Sequence, residues 1–107
     1  MEENNKNENI IEEIGSIPRV KNMVSSSGNV IANQFIITKP NEFTLFQSYN
    51  SPIAMVKGEK TYIFRDFDYS TTTSKYRNLF LGETKKETIA KLKSGEYIAV
   101  DFDIQYL

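Results

Sequence analysis

The sequence predicts a single α+β domain: a small antiparallel β-meander sheet with two helices packed on one face and a C-terminal strand. Three observations carry this. Between residues 30 and 64, short runs rich in β-branched and aromatic residues are separated by Gly, Pro and Asn turns. Two segments with helix start and stop signals follow, closed by Gly82 and Gly95. The final stretch then alternates apolar and polar residues. A chain of 107 residues, 39% hydrophobic and with seven Phe and six Tyr, has material for one modest core and no more.

Taken in order, residues 19–24 lie between Pro18 and the "SSSG" of 25–28, and read as at most a short edge strand. Residues 30–38, "VIANQFIIT", form a strand with Ile31, Phe35 and Ile37 on one face around Asn33. The turn "KPNE" closes it, and residues 43–49, 53–57 and 60–64 follow as three antiparallel strands hinged on Asn50-Ser51-Pro52 and Gly58-Glu59. Asp68 or Ser70 caps a helix whose face is Tyr76, Leu79 and Phe80, and Gly82 ends it. Thr84 and Glu87 match a capping box for a second helix with Ile89 and Leu92 as its buried stripe and Gly95 as its left-handed stop. Residues 97–106 complete the sheet as a strand with Ile98, Val100, Phe102, Ile104 and Tyr106 on one face.

Charge is unevenly placed. Residues 1–14 hold five Glu against Lys6 alone, while Lys75, Arg77, Lys85, Lys86, Lys91 and Lys93 face only Glu83 and Glu87 within 75–93. Residues 1–16 therefore read as an acidic, disordered solubilising tail and 17–107 as the domain. A sharper reading makes Ile10, Ile11 and Ile14 one face of a short helix that folds on a partner, or back over the basic patch. No signal peptide or run of about 18 apolar residues is seen, so the expected location is the cytoplasm of a bacterial host. Richness in Asn, Lys and Ile fits a low-GC bacterium or one of its viruses.

The absence of His and Cys removes thiolate metal sites and the usual acid/base group near neutral pH. The row Ser70 to Ser74 has no base beyond Lys75 or a carboxylate and no glycine of the kind phosphate loops need, so helix capping is its first reading and anion grip its second. Two "DFD" triplets, Asp66-Phe67-Asp68 and Asp101-Phe102-Asp103, would build a divalent-metal nuclease site only if they met. Solvated strand ends are the simpler account. A basic aromatic segment, Lys75, Tyr76, Arg77, Lys85 and Lys86, is the best nucleic-acid candidate, although a pI near 5.5 is low for that role. The turn containing Gln47, Tyr49, Asn50 and Ser51 offers adaptable contact residues which, with Asn33 and Gln34, could form a recognition edge.

"SYNSPIA" at 48–54, "DYSTTTSKYRNLFLGETKKET" at 68–88 and "KSGEY" at 93–97 together resemble a family of short phage and prophage proteins of unassigned function from Gram-positive bacteria. Its pattern, DYS-x-TT-x-KYR-x-x-FLGE, is met by Asp68, Tyr69, Ser70, Thr72, Thr73, Lys75, Tyr76, Arg77 and Phe80. The resemblance implies a small viral protein that binds and disables host machinery, including CRISPR nucleases, or accompanies replication. The expected function is accordingly a non-enzymatic, stoichiometric binding protein without cofactor or metal, whose partner is a host or viral protein. Its partner-binding residues are Gln47, Tyr49, Asn50, Ser51, Ser70, Thr72 and Thr73. The alternative is a single-stranded nucleic-acid binder, and the third reading a metal-dependent nuclease.

Overall fold

The computed structural model describes Gly15 and residues 17–107, so the expectation for the acidic tail falls, apart from Gly15, outside the described residues. Six strands form one sheet in chain order: β1 (Arg19–Val24), β2 (Val30–Lys39), β3 (Phe43–Ser48), β4 (Ser51–Lys57), β5 (Lys60–Phe64) and β6 (Tyr97–Val100). The first four pairings are antiparallel and β5–β6 is parallel, because α1 (Thr71–Leu81) and α2 (Lys85–Ser94) carry the chain back along the sheet. The α+β architecture is as the sequence predicts.

Both helices begin and end where their capping residues dictate. Ser70 accepts a hydrogen bond from the Thr73 amide at 3.1 Å, and Gly82 closes α1 at φ 69°. Thr84 and Glu87 form the reciprocal capping box, and Gly95 ends α2 at φ 84°. These local bonds satisfy first-turn amides of α2 without help from the rest of the fold. Helix α1 lies over β3 and β4, and α2 over β6 and the terminal turn.

Strand register places Ile36, Phe46, Ala54, Ile63 and Ala99 opposite one another on the helix-covered face. Phe46, Ala54 and Ile63 join Ile53, Phe67, Leu92 and Tyr97 in the buried core. Each large apolar side chain so buried contributes about 1.5–3 kcal/mol. Phe35 and Ile37 stand on the other face, and the residues of β2 that turn toward the helices are Gln34 and Ile36.

Three local expectations are corrected. The terminal strand stops at Val100, since Asp101 takes φ 62° and ends the ladder. Phe102 then stacks on Phe67 with centroids 5.4 Å apart, Ile104 packs on the core, and Ile104–Tyr106 form a 3₁₀ turn capped by Asp103. In α1, Leu79 points to solvent, and the buried positions are Thr73 and Arg77, flanked by Tyr76 and Phe80. In α2 the fully buried positions are Thr88 and Leu92, and Ile89 is half-buried.

Candidate functional site

One end of the sheet gathers most of the residues singled out from the sequence. The β3–β4 turn, the start of β2, the exits of β5 and β6 and the N-terminus of α1 all lie there, because β4 runs opposite to β5 and β6 runs with it. Ser48 Oγ and Thr73 Oγ1 share a buried hydrogen bond of 2.9 Å across 25 residues of sequence, which locks α1 to the β3 end. Ser51 Oγ donates to Asp66 Oδ2 at 3.0 Å and ties the turn to the β5 exit.

The backbone at this end is strained. Among the described residues, four that are not glycine have positive φ, and three of them, Asn33 (63°), Tyr49 (54°) and Asp101 (62°), sit here. For a residue as bulky as Tyr this conformation is unfavourable, and it persists where neighbours over-determine it. Those neighbours are present: the Tyr49 amide donates to the Asn33 carbonyl and Gln47 Nε2 donates to the Tyr49 carbonyl, both at 2.7 Å. The phenol ring is held on the outside, 46% exposed.

The candidates therefore divide into two groups. Tyr49, Asn50 and Thr72 face solvent and can touch a partner. Gln47, Ser51, Ser70 and Thr73 are spent on internal hydrogen bonds that fix the exposed ones. Ser74 is likewise engaged, donating to Asp68 Oδ1 at 2.6 Å, so the hydroxyl row is chiefly a cap and a latch. Gln34 is fully buried, with neither amide atom partnered among the described residues, and so contributes no contact surface. Tyr69, half-exposed just before the Ser70 cap, belongs to the same rim; an aromatic preceding a cap is the signal that would have found it.

Beside the rim is a cleft of about 400 Å³ lined by Pro52, Phe64, Arg65, Asp66, Val100 and Asp101. The two DFD triplets thus do approach each other, through Asp66 and Asp101. The other two carboxylates are committed elsewhere: Asp68 binds Lys85, Arg77 and Ser74, and Asp103 caps the terminal turn. Partial burial works to raise the pKa of Asp68, but the hydrogen bonds from Lys85 and Ser74 and the charges of Lys85 and Arg77 outweigh it and hold the carboxyl below its ordinary value. No group of three or more His, Cys, Asp or Glu among the described residues is placed to hold a metal ion.

The basic segment is largely structural. Arg77 has no exposed surface; its guanidinium donates to the Phe67 carbonyl, to Asn78 Oδ1 at 3.0 Å and to Asp68 at 3.4 Å, and lies 5.4 Å from the centre of the Phe67 ring. Burial lowers its pKa while Asp68 opposes the shift. Lys85 pairs with Asp68, Lys91 with Glu83, and Tyr76 packs on the core. Of the nucleic-acid candidates, Lys75 and Lys86 remain exposed without an ion pair among the described residues, and the aromatic and guanidinium groups that would stack on bases are turned inward.

Fold and rim together define a small α+β module with a rigid, polar and aromatic sheet end. The chain belongs to a family of unknown function, DUF8033, which matches residues 19–98 and so takes in β1 to β5, both helices and the rim residues Tyr49, Asn50, Tyr69 and Thr72, ending within β6. Comparison with curated proteins and with solved structures returns no match. No helix among the described residues is long and apolar enough to cross a membrane.

Proposed function

We propose that this chain is a non-enzymatic, stoichiometric protein-binding module that docks through the sheet end carrying Tyr49, Asn50, Tyr69 and Thr72. The observation that carries the reading is the strain. A tyrosine in the left-handed region is costlier to fold than glycine would be, and such positions persist where a surface must be presented in one fixed shape. Tyr and Asn with small hydroxyl residues supply contact area and adaptable hydrogen bonds at low entropic cost. In keeping with the phage-protein resemblance, the partner is a host protein of a Gram-positive bacterium, of which a defence nuclease is the leading kind.

The test uses the tagged full chain, a host lysate, and two variants. Asn50→Lys/Thr72→Glu is expected to lose a partner that the native chain retains near equimolar ratio, while Lys75→Glu/Lys86→Glu retains it. Retention that instead follows the lysines and falls steeply with salt would transfer the assignment to single-stranded nucleic acid. Turnover of a small molecule or polynucleotide that is lost on changing one carboxylate would reject the binding-only reading. Tyr49→Gly sharpens the test: it should raise stability to denaturant by up to about 1 kcal/mol, by removing the left-handed cost, yet weaken partner retention. A Tyr49→Gly chain no more stable than the native one would remove the strain argument.

A further inference from the structure

At the border of the sheet β1 has one hydrogen-bonded neighbour, β2, and its outer edge meets no described strand. Lys21 lies opposite Ile36 and Arg19 opposite Thr38, so both cations stand on the helix-covered side of the sheet, while Val20, opposite Ile37, stands on the other. The helices are seated over β3, β4 and β6 and leave the β1–β2 margin open, where Arg19, Lys21, Ile36 and Thr38 line a groove of about 430 Å³. Arg19, Val20 and Lys21 are exposed, and neither cation forms an ion pair with a described residue. A register shift between Asn22 and Val24 bends the far end of the strand and confines its regular edge to residues 19–22.

We infer that residues 19–22 take up an extended acidic segment of a protein partner as a seventh strand, its carboxylates over Arg19 and Lys21 and its intervening apolar residues beside Val20. Main-chain groups on the outer edge of β1 can bond any peptide, so the choice among peptides falls to the side chains. Along this edge they run cation, valine, cation, asparagine. The matching strand alternates Glu or Asp with an apolar residue, which sets opposite charges directly across from one another on one face. A second copy is the wrong occupant. Two β1 strands paired edge to edge continue the sheet with the same side up, and that brings Arg19 and Lys21 of both copies together on one face. Such repulsion guards an exposed edge against self-association and leaves an acidic strand admitted. Single-stranded nucleic acid fits less well, because the groove is lined by Ile36 and Thr38 and by no aromatic ring on which a base could stack. The contact is separate from the rim of Tyr49 and Asn50, since Arg19 is level with Thr38 and Thr44, at the opposite end of β3.

The probe is a blocked peptide of alternating Glu and Val, titrated into the ¹⁵N-labelled full chain, with an alternating Lys and Val peptide and an oligothymidylate for comparison. The Glu peptide should shift the amides of residues 19–22 saturably and slow hydrogen exchange at those that point outward, with the Tyr49 and Asn50 amides unmoved. Arg19→Glu/Lys21→Glu should weaken its binding about tenfold or more and admit the Lys peptide instead, a reversal that a misfolded chain would not show. The inference fails if the Glu peptide leaves these amides unmoved, if the charge-reversed chain still prefers Glu, or if oligothymidylate moves the same amides and the peptide does not. It fails as well if the outward amides are already protected from exchange in the free chain. Protection at every dilution would mean that the chain fills its own edge, and protection lost on dilution that a second copy fills it.

Discussion

Arg77→Ala should cost about 3–5 kcal/mol of folding free energy, enough to remove much of the stability of a domain this size. The guanidinium is fully buried in α1 and is the hub of a polar cluster: it serves the Phe67 carbonyl, Asp68, Ser74 and Asn78, and lies over the Phe67 ring. Truncation leaves the carbonyl without its donor, Asp68 with Lys85 and Ser74 as its remaining partners, and a cavity beside Phe67. Arg77→Lys keeps the charge but cannot reach Phe67 and Asn78 together, so it should recover only part of the loss. Denaturant titration of the three chains decides the matter. Equal midpoints would mean that the guanidinium is peripheral to folding, returning it to the list of candidate binding groups.

Glu83→Ala should cost about 2–4 kcal/mol through a second polar hub. Glu83 follows the Gly82 stop, and its side chain, 3% exposed, accepts from Thr88 at 2.5 Å, Tyr97 Oη at 2.6 Å and Lys91 at 2.8 Å. It therefore binds α2 to both the end of α1 and the start of β6. The same contacts set a pH signature at each extreme. Burial works to raise the Glu83 pKa, but the bonds from Lys91, Thr88 and Tyr97 outweigh it and hold the carboxyl below its ordinary 4.5. The folded form thus releases its proton more readily than the unfolded one. Its contribution is complete above about pH 4.5 and is lost as pH falls through the depressed value. Tyr97 behaves oppositely: burial, then the bond to Glu83, pushes its pKa from 10 to about 12. That contribution is present below pH 10 and disappears as pH rises toward 12. Stability profiles should therefore flatten on the acid side in Glu83→Gln and on the alkaline side in Tyr97→Phe. A profile unchanged in both would show that the titrations of Glu83 and Tyr97 contribute nothing to stability.

Local signals in the sequence and long-range geometry divide the structure between them. The capping box Thr84/Glu87, the stops at Gly82 and Gly95 and the hairpin at Gly58-Glu59 are short-range chemistry, and each lies where the residues place it. The end of β6 was not readable, because the alternation of 97–106 persists beyond Asp101 although Phe102 is drawn out of the strand to stack on Phe67. Arg77 was equally hidden: a basic residue in a basic helix looks solvent-facing until the loop at 65–70 brings a carbonyl and a carboxylate beneath it. As for the rim, its residue types were legible in "QSYNS" and "STTTS", but their convergence rests on Ser48 and Thr73, 25 positions apart, and the left-handed backbone at Asn33, Tyr49 and Asp101 has no glycine to announce it.

Placing a parallel strand last in an otherwise antiparallel sheet orders events during synthesis. The first five strands zip by neighbouring hairpins as soon as each emerges, whereas the free side of Phe64 waits until some 33 further residues have left the ribosome and both helices have wound. A nascent chain halted before Tyr97 would already hold the tyrosine turn, but its sheet would end at β5 with Phe64 unpaired, whereas in the finished chain the border is the shorter, four-residue β6.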